Sequence, residues 1–397
     1  MHNPRLALLQ NYPFQRLRDL LAPLAPAEGL APITMALGEP RHPMPTLLAE
    51  VLEQKRDLYN VYPPLAGTPE FRDAVGAWLN RRYRLPAGMI EPERHILPVS
   101  GTREALFMIA QVVVPAEKAG KKPAIAMPNP FYQCYVGAAV AAGAEPVFVP
   151  ALAENGFLPD FAGLDEAVLE RLSLVYLSSP ANPQGAVADL DYLEKLIRLA
   201  RRHDFLLVVD ECYTEIYFDA PPPGALEACA RLGGGLDNVM VFHSLSKRSS
   251  VPGLRSGFCA GDAAVMQDFA RLRSYGAAGM PLPVLAASAA LWLEESHVAT
   301  NRALYQEKFR IAESILGNRF GFRRPAGGFF LWLDVGDGEE AAKKLYSEAA
   351  LTVLPGRYMT WENGHGAAAG RPYVRIALVH DAATTREALE RFRDTLT

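Results

Sequence analysis

Short apolar runs recur through the middle of the chain, and the segments between them carry apolar residues at helical spacing. The runs at 96–99, 124–127, 145–149, 174–177, 205–210, 239–242 and 257–260 predict strands, and the stretches 104–114, 131–142 and 192–202 predict amphipathic helices. Strands that are apolar on both faces and alternate with helices predict an α/β fold whose mostly parallel sheet is covered by helices. Polar residues gather where these strands end, at Ser100-Gly101-Thr102, Ser178-Ser179-Pro180, Asp210-Glu211 and Ser244-Leu245-Ser246-Lys247. Open α/β sheets bind ligands beyond the carboxyl ends of their strands, so these clusters form the first candidate site.

The pattern changes after about residue 285. A long helical stretch through Trp292, Tyr305 and Ile315 precedes an apolar strand in Gly327-Gly328-Phe329-Phe330-Leu331-Trp332-Leu333-Asp334, a further helix, and a strand in Tyr373-Val374-Arg375-Ile376-Ala377-Leu378. This predicts a smaller α+β domain made of 1–45 and 286–397 beside a large domain of 46–285, as a chain of 397 residues is too long for one compact core. Proline-rich connections at 22–32 and 40–45 let the N-terminal arm pack on the C-terminal part, and the glycine-rich stretch 362–370 predicts a mobile loop.

With 40 basic and 44 acidic residues and a formal charge of −4, the surface is not that of a general nucleic-acid binder. Four cysteines, with no CxxC pair and in apolar surroundings, predict reduced thiols and no metal site. Charges and prolines break up the N-terminus before a signal-peptide core can form. No apolar run reaches the roughly 20 residues of a membrane span, and the expected location is the cytoplasm.

Lys247 alone would read as a solvated charge at a strand end, but its neighbours change that. Ser244 and Ser246 supply hydroxyl donors, Arg255 a planar fork suited to phosphate oxygens, and Gly101-Thr102 the opening of a helix with free backbone N–H groups. Together they describe a site for a phosphorylated ligand beside a lysine. Asp210 ends an apolar strand, where a carboxylate is costly to bury without a partner. That partner could be an N-cap, an arginine, or a pyridinium nitrogen; at an effective dielectric near 20 and a separation near 4 Å the last would gain about 4 kcal/mol before desolvation. Tyr213 and Asn182 can donate to a phenolic oxygen on the same ring.

The run Pro180-Ala181-Asn182-Pro183-Gln184-Gly185, then Asp210-Glu211-Cys212-Tyr213, then Ser244-Leu245-Ser246-Lys247 with Arg255, then Arg375, resembles the class I/II aminotransferases, pyridoxal-phosphate enzymes of the aspartate-aminotransferase fold. The resemblance covers nearly the whole chain; Gln184 and Ala181 depart from the family's usual Thr and Gly, on the backbone rather than in the chemistry. It implies that Lys247 is the lysine bonded to the cofactor, that Asp210 pairs with the pyridine nitrogen, and that Tyr213 and Asn182 hold the ring oxygen. It places Tyr132 (with Phe131 as the competing choice) on the cofactor ring, and Gly101, Thr102, Ser244, Ser246 and Arg255 around the phosphate. Arg375 would clamp the substrate carboxylate, and Gly38 would lie over the substrate. Tyr62 would reach the phosphate of a neighbouring subunit, which implies a homodimer with shared sites. The cationic Arg255 and burial are expected to lower the pKa of Lys247.

The segments Asn3-Pro4-Arg5-Leu6, Gly38-Glu39-Pro40-Arg41-His42-Pro43 and Ser246-Lys247-Arg248-Ser249 are similar to those of bacterial succinyldiaminopimelate aminotransferases. This implies amino transfer between N-succinyl-LL-2,6-diaminopimelate and 2-oxoglutarate, in lysine and diaminopimelate biosynthesis. Such a substrate needs a cation far from Arg375, and Arg41 and Arg103 are the candidates. Rival readings are an alanine, aspartate or aromatic aminotransferase, a carbon–sulfur lyase, and a regulator that reuses the fold. The last would need a winged helix, for which the 45 or so residues before the large domain are too few and too rich in proline.

Overall fold

The computed structural model describes residues 3–362 and 369–397. Most of the glycine-rich stretch expected at 362–370 lies outside the described residues. In chain order the strands are β1 (Ile33–Thr34), β2 (Ile96–Val99), β3 (Ala124–Asn129), β4 (Glu145–Pro150), β5 (Leu172–Ser178), β6 (Leu206–Asp210), β7 (Val239–Ser244), β8 (Gly257–Gly261), β9 (Phe330–Asp334), β10 (Leu351–Thr352), β11 (Leu354–Pro355) and β12 (Tyr373–Ala377).

Seven of these form the main sheet in the order β2-β8-β7-β6-β5-β3-β4. β7, β6, β5, β3 and β4 pair in parallel, whereas β8 runs antiparallel to both its neighbours, β2 and β7. Every residue of β3, β5, β6 and β7 is buried, and strand alternation sorts the side chains between two cores. Val175, Val209 and Val241 face the helices Pro69–Tyr83, Leu190–His203 and Leu282–Leu293 through Trp78, Ile197 and Trp292. Leu174, Val208 and Met240 face Gln133–Ala142 and Ala263–Gly276 through Tyr135, Val140 and Phe269.

Three expectations shift. β4 is not apolar on both faces in practice: it is the sheet edge, with Glu145 exposed and the next three residues half-buried. The helix expected over 104–114 comes as two, Thr102–Met108 and Ala110–Val113. The long stretch through Trp292 and Ile315 is also two helices, Leu282–Leu293 and Ser296–Leu316, because the Glu294 carboxylate accepts the backbone N–H groups of Ser296 and His297 and so starts a new helix.

The C-terminal strands make a separate antiparallel sheet, β11-β12-β9, packed on the helices Ser296–Leu316, Gly338–Ala349 and Ala382–Leu396 around Phe309, Leu333, Leu345 and Phe392. The N-terminal arm joins this part: Leu17 and Leu21 pack on Leu354 and Met359, and β1 pairs in parallel with β10. Among the described residues no helix is long and apolar enough to cross a membrane.

Candidate active site

A cleft of about 560 Å³ opens where β5, β6 and β7 end, lined at its base by Ser178, Asp210 and Ser244 and covered by Leu37, Gly38, Phe330 and Arg375. The two sheets and the N-terminal segment therefore meet at one place. Of the residues singled out in the sequence, Gly38, Thr102, Tyr132, Asn182, Asp210, Tyr213, Ser244, Ser246, Lys247, Arg255 and Arg375 all line it. Gly101 abuts it through Arg255, whereas Tyr62 stands outside it, 99% exposed.

Lys247 sits on the short helix Leu245–Arg248, started by the Ser244 hydroxyl, which accepts the Ser246 N–H at 3.1 Å. Its Nζ donates to the Gly38 carbonyl at 2.9 Å. Burial lowers the amine to about 8, Arg375 and Arg103 act in the same direction, and Cys212 and Glu39 oppose it. The cations responsible are thus Arg375 and Arg103, where the sequence pointed to Arg255. A carbonyl is a weak partner for a buried amine, and the nitrogen faces the cleft.

Asp210 is 6% exposed and has no arginine partner among the described residues. Its Oδ2 accepts the Tyr135 hydroxyl at 2.9 Å and its Oδ1 the Cys212 N–H at 3.2 Å. Burial raises its pKa, and those two bonds oppose the rise. Tyr135, which the sequence reading missed, is held by stacking on Tyr176 with ring centroids 4.4 Å apart. It lies three residues beyond Tyr132, which precedes the helix Gln133–Ala142, and its ring stands edge-on to the Tyr132 ring at 5.6 Å; that spacing was the available signal. Cys212, a buried free thiol as expected, also lines the cleft, its sulfur 3.3 Å from the Thr102 hydroxyl. All four cysteines are free.

Arg375 lies on β12, 5% exposed, its guanidinium 4.4 Å from the Phe330 ring centroid. It donates to Asn182 Oδ1 at 3.0 Å and to the Ala36 carbonyl at 2.8 Å, while its Nε has no partner among the described residues. Burial lowers it to about 10. A buried guanidinium bonded only to neutral acceptors is a receptor for an anion. Because Asn182 Oδ1 is taken by Arg375, its Nδ2 is left as the donor toward the cleft. Tyr213 is pushed well up by burial, so it remains a phenol that can donate.

Arg255 donates to the carbonyls of Pro252 and Ser100, with no carboxylate among these partners. Gly101 has φ +84°, and a Cβ there would strike Arg255 Nη2, so only glycine lets this guanidinium lie against the start of the helix Thr102–Met108. Phe131 is 4% exposed and packs against Phe148, leaving Tyr132 as the aromatic of that pair on the cleft wall, where its hydroxyl accepts from Arg103 Nε. Arg103 lines the cleft mouth; Arg41 turns instead to His380, 3.3 Å away.

This donor set fits pyridoxal phosphate. The hydroxyls of Thr102, Ser244 and Ser246 and the fork of Arg255 surround a pocket that Gly101 keeps open, as a phosphate requires. Asp210 is a buried carboxylate with no ion-pair partner among the described residues, and Lys247 is a buried amine of lowered basicity in the same cleft.

The model of the aminotransferase class I and II family matches residues 32–392. An LL-diaminopimelate aminotransferase from Desulforudis audaxviator is 31% identical over 402 aligned residues, covering 99% of this chain and 97% of that protein. A 4-dedimethylamino-4-oxo-anhydrotetracycline transaminase from Streptomyces rimosus is 32% identical over 346 residues, 87% of this chain and 88% of that protein. The crystal structure of an aminotransferase from Neisseria meningitidis superposes with a TM-score of 0.95 at 42% identity, covering 100% of both chains.

Proposed function

We propose that this chain, which belongs to the class I and II aminotransferases and depends on pyridoxal 5'-phosphate, transfers an amino group between N-succinyl-LL-2,6-diaminopimelate and 2-oxoglutarate as a homodimer with shared sites. The observation that carries the substrate is that three guanidinium groups line one cleft with no carboxylate partner among the described residues, and only one of them, Arg255, belongs to the phosphate cradle. Arg375 is buried at the inner end, and Arg103 stands at the mouth, bonded to the hydroxyls of Tyr132 and Tyr12. An α-carboxylate on Arg375 and a distal anion near Arg103 suit a long dicarboxylic substrate.

When bound, the cofactor supplies an aldehyde that exchanges amines and a protonated ring that draws electrons from the substrate α-carbon. In this reading Arg375 would hold the α-carboxylate and so fix the orientation of the substrate in the cleft. Lys247 Nζ is the amine that would bond the cofactor aldehyde, and as a free amine it would hold or move the substrate's α-proton. At a pKa of about 8, about a tenth of the amine is neutral at pH 7, against well under a thousandth for an ordinary lysine. Asp210 would keep the ring nitrogen protonated, and Tyr213 and Asn182 would serve as donors to the ring oxygen. Arg255, Thr102, Ser244 and Ser246 anchor the phosphate, with Tyr62 of a second subunit completing that anchor.

A second reading is favoured by one observation: Glu39, the one carboxylate besides Asp210 in the described cleft lining, could receive a free distal ammonium, as unsubstituted LL-diaminopimelate would present. Initial rates with the succinylated and free compounds, glutamate, alanine and aspartate separate the two. The succinylated donor should show the highest kcat/KM. Arg103→Ala should cut that value at least about tenfold while changing glutamate's less than about twofold. Preference for the free diamine would give the site to the second reading.

A further inference from the structure

Lys247 is held at two points by one segment of chain. Gly38 accepts from its Nζ, and four residues further on His42 reaches its main chain through Asn301. Asn301 is 6% exposed on the helix Ser296–Leu316, and its Nδ2 donates to the carbonyls of Lys247 at 3.0 Å and Arg248 at 3.1 Å. These close the short helix Leu245–Arg248, where the last carbonyls lack partners of their own. With its amide protons so used, Asn301 can only accept at Oδ1, so His42 Nδ1, 2.6 Å away, carries the proton. That leaves His42 Nε2 as a lone pair, and 2.6 Å from it lies Nζ of Lys308, which can only donate.

Every bond in the chain therefore has one possible direction: Lys308 to His42, His42 to Asn301, Asn301 to the Lys247 and Arg248 carbonyls. The tautomer agrees with the environment, since burial and then Lys308 lower His42 to about 4 and keep it neutral. Lys308 is 2% exposed. It also donates to the Leu378 carbonyl at 3.1 Å, and burial lowers it to about 8 against Asp381 and Glu307. The Tyr305 ring lies beneath both, 4.3 Å from the His42 ring and 4.8 Å from Lys308 Nζ. The Ser250 hydroxyl fixes the His42 carbonyl at 3.1 Å. Burying an amine with no carboxylate in contact is costly, and a methionine would fill that space at less cost. None of the three side chains lines the cleft.

We infer that Lys308, His42 and Asn301 are positioning residues, a one-way donor relay that fixes the main chain of Lys247 in register with the 36–42 segment. That segment also accepts from Lys247 Nζ at Gly38 and from Arg375 at Ala36, so the relay sets the reacting amine against the carboxylate clamp. The inference rests on Lys247 as the residue bonded to the cofactor.

The test uses holoenzyme of His42→Phe, Lys308→Met, Asn301→Asp and His42→Gln. The first three should retain bound cofactor, because the phosphate cradle is untouched. They should lose at least about fivefold in kcat with KM changed less than about twofold, and at least about half of the visible circular dichroism per bound cofactor. His42→Gln, which keeps one donor and one acceptor, should recover most of both signals. Wild-type kcat and dichroism in the folded variants would overturn the relay, as would a loss confined to thermal stability. Should His42→Phe not fold, the isosteric Asn301→Asp gives the same reading. A Lys247→Ala control separates the premise: if it keeps the covalent visible band, the assignment of the lysine fails, whatever the relay variants do.

Discussion

Burial holds the Lys247 amine down to about 8, from 10.5 for a free lysine. The folded protein therefore binds this proton less tightly than the unfolded chain, which destabilises the fold. The penalty is present in full below about 8 and fades as pH rises toward 10.5, so this group makes stability rise with pH across that window. In cofactor-free protein, Lys247→Met should melt above wild type at pH 7, and its advantage should shrink from pH 8 to 10. Measuring the difference in Tm against pH isolates Lys247 from Lys308, which titrates in both proteins; a difference independent of pH would mean that the amine is not desolvated. Lys247 and Asp210 stand out in the sequence because each closes an apolar strand in a polar run, whereas Arg375 is one strand arginine among many and is picked out only by the family resemblance. Their partners were harder: Tyr135 is marked only by its spacing from Tyr132, and the carbonyls of Ala36 and Gly38 reach the site through the packing of distant segments, where a backbone carbonyl has no signature in a sequence.

At the scale of elements, the central strands were readable because burial on both faces leaves unbroken apolar runs, and β5, β6 and β7 carry the site at their ends. Helix boundaries were harder. The break at Glu294 depends on a side chain capping two N–H groups, a competition that periodicity does not register. The join between β2 and the helix Thr102–Met108 shows what such a boundary does. Gly101 takes φ +84°, and its missing Cβ is the space into which Arg255 reaches. Gly101→Ala should leave the sheet intact, because the lesion lies beyond the end of β2, yet push Arg255 out of the phosphate cradle. Equilibrium titration with pyridoxal phosphate should show at least about tenfold weaker binding, the order expected for losing one charge-assisted contact. Unchanged affinity in a folded variant would remove Arg255 from the cradle.

At the scale of the whole molecule, large aromatic side chains stand exposed among the described residues, Tyr62 and Tyr275 foremost. Tyr62 is 99% exposed, and Tyr59, Val61 and Met44 nearby in the chain are 58%, 51% and 55% exposed. Nothing in the chain's periodicity marks these exposed residues, since a surface segment reads like any loop. In the proposed homodimer Tyr62 completes the partner's phosphate anchor, and that arrangement makes an arithmetic prediction. Lys247→Ala subunits lack the amine but keep Tyr62, whereas Tyr62→Ala subunits keep the amine but lack the tyrosine. If the two residues of one site come from different chains, a hybrid dimer holds one intact site and one doubly impaired site. Random reassortment makes half the dimers hybrid, so a mixture of the two inactive variants should regain about a quarter of wild-type turnover. If both residues belonged to the same chain, mixing would restore nothing above the average of the parents. Turnover measured before and after reassortment, with sizing to establish that dimers persist, decides between the two, because only exchange of subunits can bring a wild-type Lys247 and a wild-type Tyr62 to the same site.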